Sequence, residues 1–447
     1  MLLVSKFGGS SLSCAKQFQK VKNIVLGDEN RRVVVVSALG KRQVTDSKLT
    51  DLFYSVFEHV SHSTYYESLW TEIIERFVTV KDDLNLEFDV EYELRKIQNA
   101  LATRNVTLDY LVSRGEYLTA KMMSEYLGYD FVDAHDLIIF DSGGEVDLES
   151  TYQRISTLAT DDKRIVVPGF YGTTSSGDIK IFSRGGSDIT GALLAAGLNA
   201  CKYENFTDVS GVLMVDPRIV RNPRAISELT YEEMRCIAYM GAEVLHRKSV
   251  YPVQEKKIPI HIRNTNNPYA PGTLISDNPN KNESQLTGFF GRKDYTFMTL
   301  CKKRATSEPG FMWKLFALFE NYKVHIEQSL TGIDQVGLLV SSVDIKYSLE
   351  HILSDLALKL EIDDVRIKEG LSLITIFGRD VINNPAFLAR VFGAMHSAKI
   401  ESSLFEQSPQ GINLVIGVPT LKYESAIAAL YEELVENDKE VAKNETA

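Results

Sequence analysis

Much that would place this 447-residue chain in a specialised class is scarce or missing. Its four cysteines, Cys14, Cys201, Cys236 and Cys301, are far apart and show no C-x-x-C spacing. Neither a zinc site nor a disulfide framework is therefore expected, and a reducing compartment fits. No apolar run reaches the length that crosses a bilayer, and the start carries no charged leader with an apolar core and small-residue cleavage site. A soluble, cytoplasmic protein is the expectation. No basic run could follow a phosphate backbone, and the net charge is −11, which excludes a nucleic-acid surface and makes the acidic balance a matter of solubility.

What is present is material for ordinary globular cores. Hydrophobic residues make up 44% and charged residues 24% of the chain. The length exceeds what one core holds, so two or three domains are expected.

Met1 to Ser11 runs from apolar residues into Lys6, Gly8, Gly9, Ser10 and Ser11. This is the composition of a strand that ends in a phosphate-binding turn, with glycine amides facing an anion and a lysine beside it. Taken alone, the stretch reads first as a tight strand-to-helix connection, and the phosphate cradle is the second reading. Leu12 to Leu26 is helical in pattern, and Arg32 to Ser37 is a β-branched run of the kind buried on both faces. Strand, helix and strand at this spacing form a βαβ unit and imply a parallel sheet, whose strand ends converge on one crevice.

Between about Asp46 and Leu127 the pattern changes to long amphipathic helices, Leu49 to His59, Leu69 to Val78, Val90 to Thr103 and Leu111 to Leu127. This is a helical insertion and a candidate flap over the site. Within it Glu116 is either a solvated helix residue or a carboxylate turned toward a substrate. The strand rhythm resumes at Asp130 to Asp133 and Arg164 to Phe170. Then Ser183-Arg184-Gly185-Gly186-Ser187-Asp188 leads into an Ala/Leu-rich helix. Capping residues, dipole and charge coincide there, and since a cap needs neither the arginine nor a second glycine, the stretch reads as a functional site. Phe206 to Arg218 places Thr207, Asp208, Asp216 and Arg218 among apolar residues and turn formers, which suits a nucleotide edge, although Asp-Pro is also a plain turn signal.

Asp277 to Gln285 reads as a linker, and beyond it the order strand, helix, strand, strand, helix, strand occurs twice, the second copy lacking its last strand. The gap implies that the copies exchange elements or that a strand is borrowed from elsewhere. The expected division is 1–290, 291–370 and 371–447, with a frayed, charged tail after Glu436.

Lys6-Phe7-Gly8-Gly9-Ser10-Ser11, Ser183 to Asp188 and Phe206-Thr207-Asp208-Val209-Ser210-Gly211, with Arg263-Asn264-Thr265, Pro271-Gly272-Thr273 and the tandem tail, resemble the aspartokinases of the amino acid kinase superfamily. The resemblance implies an α/β, three-layer αβα kinase fold with a mainly parallel sheet and helical insertion, followed by two ferredoxin-like ACT domains. It implies transfer of the ATP γ-phosphoryl group to the side-chain carboxylate of L-aspartate, with Mg²⁺ carried in on the nucleotide and no dedicated metal site. A carboxylate is already a nucleophile at neutral pH, so such an enzyme must chiefly neutralise and align two anions.

On that reading Lys6 and Asp188 are catalytic, Lys6 on the transferring group and Asp188 holding Lys6. Arg184 suits the substrate α-carboxylate and Glu116 its ammonium, with Ser37, Thr45 and Ser187 as hydroxyl contacts. Lys6, Gly8, Gly9, Ser10, Thr207, Asp208, Asp216 and Arg218 would bind ATP. Glu327 and Ser329, in the turn region of the first repeat, are candidates for an amino acid effector, with lysine the expected one. The ACT domains imply a homodimer or tetramer. The chain departs from the family pattern at Leu213, where many relatives have an aromatic residue, and at Glu243, where many have lysine. Those departures favour an alternative, an amino acid sensor that has lost catalysis; another amino acid kinase of the superfamily, such as acetylglutamate or glutamate kinase, is the second alternative.

Overall fold

The computed structural model describes residues 1–437 except 105, 159–162, 184, 242–243, 278–285, 306–307, 380–381 and 409–410. It forms two compact units, Met1–Val212 with Ala225–Asn282, and Leu213–Arg224 with Glu283–Ala447.

In the first unit, β1 (Leu3–Phe7) is followed by α1 (Ala15–Leu26) and β2 (Arg31–Val36). Val33 to Val36 have no exposed surface, as expected of a strand covered on both faces. Four helices come next, α2 (Leu49–Ser61), α3 (Glu67–Leu84), α4 (Val90–Ala102) and α5 (Leu108–Leu127). They form because apolar residues recur every three or four positions, as in Leu49, Leu52, Phe53 and Val56. Asp89 and Thr107 cap α4 and α5, and Gly128, at φ 70°, ends α5. Their buried faces share one cluster with Phe7, Phe18, Val34 and Val36, so the insertion is packed into the core of this unit and is no detached flap.

The unit continues through β3 (Asp130–Phe131), β4 (Ile139–Phe140), α6 (Leu148–Ser156), β5 (Ile165–Pro168), β6 (Tyr171–Thr174), β7 (Ile179–Ile181), α7 (Gly186–Gly197) and β8 (Lys202–Thr207). After the excursion into the other unit come β9 (Glu228–Leu229), α8 (Tyr231–Tyr239), α9 (Val250–Glu255), β10 (Ile260–Asn264) and β11 (Thr273–Ile275). The main sheet has the order β3-β5-β2-β1-β8-β10-β11-β9, parallel except for the β10–β11 pair. β4, β6 and β7 make a smaller sheet. Phe7 is in register with Val36 on one side and Phe206 on the other. Three parallel strands therefore end level, and their following residues open one crevice.

Glu204 ties this sheet together from inside. Arg31 donates to its carboxylate through Nε (2.7 Å) and Nη2 (3.1 Å), Arg263 through Nη1 (2.8 Å) and Ser5 through Oγ (2.9 Å). Burial pushes the Glu204 carboxyl up, but the arginines outweigh it and hold the group below its ordinary value. Glu204→Ala would leave the Arg31 charge buried without its carboxylate, and should destabilise the protein by about 3–5 kcal/mol. Urea unfolding of parent and variant checks this; a loss within about 0.5 kcal/mol, the usual span of surface changes, would show the network to be dispensable.

The second unit is built on β12 (Leu286–Cys301), α10 (Phe311–Asn321), β13 (Ile326–Thr331), β14 (Gln335–Ser341), α11 (Ser342–Ile345), α12 (Leu349–Leu360), β15 (Asp364–Gly378), α13 (Pro385–Ser397), β16 (Leu404–Gln407), β17 (Asn413–Pro419) and α14 (Tyr423–Tyr431). One antiparallel sheet runs β13-β14-β12-β15-β17-β16. β12 and β15 each serve both repeats. The later part of β12, Tyr295 to Cys301, pairs with β14 in the first repeat, while Leu286 to Arg292 pairs with Leu373 to Gly378 and supplies the strand the second repeat lacks. β12 thus runs unbroken through residues 290 and 291, where a boundary was expected. The expected linker Asp277 to Gln285 lies, beyond Asp277, outside the described residues.

Candidate active site

The site is assembled where β1, β2 and β8 end. After Phe7 the chain turns through Gly8 into a short 3-10 helix, Gly9–Leu12. The Gly8 amide does not face the crevice as expected. It donates to the Phe206 carbonyl at 3.1 Å, extending the β1–β8 pairing by one step. Gly9 and Ser10 open the helix, where no helical carbonyl precedes their amides.

Across the crevice α7 is entered through Gly185, which sits at φ 61° with His246 against its α-carbon; a Cβ there would lie 2.3 Å from the His246 Cβ. This turn presents Asp188, which makes a 2.6 Å ion pair with Lys6 Nζ. Asn205 Nδ2 donates to the same carboxylate oxygen (2.9 Å), and the His246 backbone amide donates to the other (3.2 Å). Asp188 is therefore held by three separate elements, and Lys6 is held by Asp188.

Glu116 on α5 is buried, at 4% exposure. Burial pushes its carboxyl up to about 8, against the opposing pull of the Ala38 and Glu116 amides and the Arg114 charge. Its Oε2 has no hydrogen-bond partner among the described residues. A buried, unsatisfied carboxyl of this kind marks a place for a cationic ligand group.

A cavity of about 830 Å³ joins these parts. Of the residues singled out from the sequence, Lys6, Gly9, Ser10, Ser37, Glu116, Ser187, Asp188 and Asp208 line it. Thr45 is exposed and lies off the wall, whereas Thr50 is on it. Thr207 donates to Asp208 (3.1 Å), and its carbonyl accepts from the Thr265 amide (2.8 Å). Arg184 and Glu243 fall outside the described residues. Asp216 and Arg218 belong to the second unit, where the guanidinium grips the carboxylate at 2.6 Å and holds it below its ordinary range. In that unit the Phe289 amide donates to the Met214 carbonyl (2.6 Å) and the Arg224 amide to Tyr431 Oη (3.0 Å), which is why the segment folds there. Leu213 opens the same segment. Glu327 and Ser329 line a separate cavity of about 720 Å³ in the second unit, beside Trp313 and Phe316, and Glu327 pairs with Arg292 at 2.9 Å.

Sequence patterns did not point to Asn205, Thr50, Lys41, Lys48 or Phe170. Asn205 looks like any polar residue in a strand, and only its position facing Asp188 gives it a part. Phe170, on the cavity wall, has φ 80°, a backbone state costly for a bulky residue.

Residues 1–264 match the amino acid kinase family, and residues 374–434 match the ACT domain. Over 444 residues the chain is 32% identical to Aspartokinase 3 of Bacillus subtilis (strain 168), covering 96% of this chain and 98% of that one. The chain belongs to the aspartokinases. The crystal structure of Clostridium acetobutylicum aspartate kinase superposes with a TM-score of 0.87 at 36% identity, covering 97% of this chain and 99% of that one. Escherichia coli aspartokinase III, crystallised with aspartate and ADP, shares the fold at a TM-score of 0.79 and 24% identity, covering 97% and 100% of the two chains. This aspartokinase is an aspartate kinase of the single-function form, with allosteric regulation through its ACT region. Among the described residues no helix is long and apolar enough to cross a membrane.

Proposed function

We propose that the cavity between the ends of β1, β2 and β8 is where this enzyme moves the γ-phosphoryl group of ATP onto the side-chain carboxylate of L-aspartate, forming 4-phospho-L-aspartate in the cytoplasm. The observation that carries the reading is Lys6, anchored to an aspartate that two further donors fix in place. Phosphoryl transfer to a carboxylate needs no base, so the enzyme's task is to bring two anions together and stabilise charge on the transferring group. Lys6 is placed to do this, and Asp188 keeps its Nζ from following either anion alone.

The substrate ammonium would go to Glu116 and its α-carboxylate to Arg184, with Ser37 and Ser187 as hydroxyl contacts. Thr45 remains a candidate only if the exposed segment around it folds inward. Gly9, Ser10, Thr207 and Asp208 would contact ATP, and Gly8 would support them through its bond to β8. Asp216 and Arg218 are kept as further candidates for ATP contact. The Asp208 carboxylate on the wall suits a hard cation such as Mg²⁺, which, brought in by ATP, would supply charge neutralisation at the phosphates. Lysine is proposed as the effector at the Glu327 and Ser329 cavity, and a homodimer or tetramer as the assembly, through the ACT region.

The test is aspartyl hydroxamate formation from L-aspartate, ATP and Mg²⁺ in the presence of hydroxylamine, repeated with lysine, threonine and both. Product with aspartate but not glutamate, reduced by lysine, is expected. Absence of hydroxamate from well-folded protein would exclude the kinase reading, and inhibition by threonine alone would reassign the effector.

A further inference from the structure

Arg76 lies on the apolar face of α3 with Trp70, Ile73, Phe77 and Val80, and only 2% of it is exposed. Its guanidinium donates to two backbone carbonyls of the segment that follows β2, Nη2 to Gly40 (2.5 Å) and Nη1 to Ser47 (2.8 Å). Its Nε has no hydrogen-bond partner among the described residues. Among the described residues the carboxylate it pairs with is that of Glu72, 4.0 Å away and on a side chain more than a third exposed. A buried cation held chiefly by carbonyl oxygens is costly, and a neutral apolar residue at this helix position would serve the core better.

What Arg76 holds is the wall of the active site. Gly40 packs so closely on the phosphate turn that a Cβ on it would lie 2.1 Å from the Gly9 carbonyl oxygen. Ala38, two residues earlier, packs on α5 next to Glu116, so closely that a Cβ on Gly115 would lie 3.0 Å from the Ala38 Cβ. Lys41, Lys48 and Thr50, on and beyond the clamped segment, line the cavity. The segment is closed on itself by Asp46, which accepts from the Arg42 amide (2.8 Å) and Nε (3.0 Å).

We infer that Arg76 is a positioning residue for the aspartate kinase reaction: by clamping the Gly40 and Ser47 carbonyls it sets the segment that packs Ala38 beside Glu116 and Gly40 against Gly9. The helical insertion thereby takes part in substrate binding without contributing a group to the reacting atoms. This rests on the cavity being the kinase site.

Arg76→Gln tests it. The neutral amide can donate to only one of the two carbonyls and removes the buried charge, so the melting temperature should stay near that of the parent while KM for aspartate rises about tenfold and kcat changes by less than about threefold. Arg76→Lys, which keeps the charge but not the two-pronged geometry, should raise KM similarly, and amide hydrogen exchange should accelerate across residues 40–48 in both variants. Parent-like KM and exchange in both would overturn the proposal, and a lowered melting temperature with unchanged KM would make Arg76 a structural residue only. Lys6→Met is the control. If that variant turns over at the parent rate, the assignment of the cavity falls, and the role given to Arg76 falls with it.

Discussion

Lys6→Met is expected to lower kcat by about 10³-fold, within the range seen when a cation that stabilises transferring phosphoryl charge is removed. The Kd for aspartate should remain within about threefold of the parent, because the α-groups of the substrate are given to Glu116 and Arg184. Methionine suits the test, since it keeps the length and buried stem of lysine and removes only the charged head. Lys6 and Asp188 are both nearly buried, so the variant leaves Asp188 with the Asn205 and His246 donors and no cation. The double variant Lys6→Met, Asp188→Asn should therefore recover stability but not turnover. Single-turnover hydroxamate assays and calorimetric titration with aspartate check both points; a variant retaining a tenth of parental kcat would remove Lys6 from the transition state.

Aspartate binding should strengthen as pH rises toward 8, and Glu116 is the reason. Its carboxyl is raised from 4.5 to about 8 by burial, so in the free protein it is mostly protonated at neutral pH. Because the folded-state value is the higher one, the associated stability is fully present below about 4.5 and is lost as pH rises through about 8. A bound ammonium supplies the missing counter-charge, draws the value down and expels the proton. KM for aspartate should thus fall roughly tenfold per pH unit between about pH 6 and 7 and level off above about 8, until the substrate ammonium itself deprotonates. Calorimetry at pH 7 in buffers of different ionisation enthalpy should register release of nearly one proton per aspartate bound. Glu116→Gln should abolish both effects and raise KM by about 10²-fold, the worth of a charged hydrogen bond in a buried site. A flat KM profile in the parent enzyme would mean that Glu116 already carries its charge in the free site.

The helices of the insertion were legible because their signal is local. Apolar residues every three or four positions, with Asp89, Thr107 and Gly128 at the ends, specify amphipathic helices without reference to the rest of the chain. Val33 to Val36 announced a buried strand in the same way. That the insertion would merge with the core of the first unit could not be read, since an apolar face does not name what covers it. The missing strand of the second repeat was visible as a gap, yet its source was not. Leu286 to Arg292 pairs with residues far along the chain, and backbone pairing leaves almost no mark on side-chain identity.

The site divides along the same line. Glycine, lysine, arginine, aspartate and hydroxyl residues cluster in short motifs because a turn that meets an anion needs them as neighbours in sequence. Asn205, Thr50 and Arg76 act through space from elements with another structural reason to exist, so nothing local distinguishes them. Gly8 shows the converse: its residue type fits an anion cradle, and the level ends of β1 and β8 assign its amide to Phe206 instead.

From sequence alone come the element types and the two glycine-marked turns, because these rest on periodicity or on residues adjacent in the chain, and the family resemblance carried by those short motifs implies the kinase and ACT architecture and the chemistry of anion alignment. The tertiary structure alone decided that Asp188, Asn205 and the His246 amide converge on Lys6, that burial makes Glu116 a weak acid, and that Arg76 clamps the wall beside them. Charge, desolvation and hydrogen-bond partnership are set by distance and burial, and these exist only once distant segments have packed.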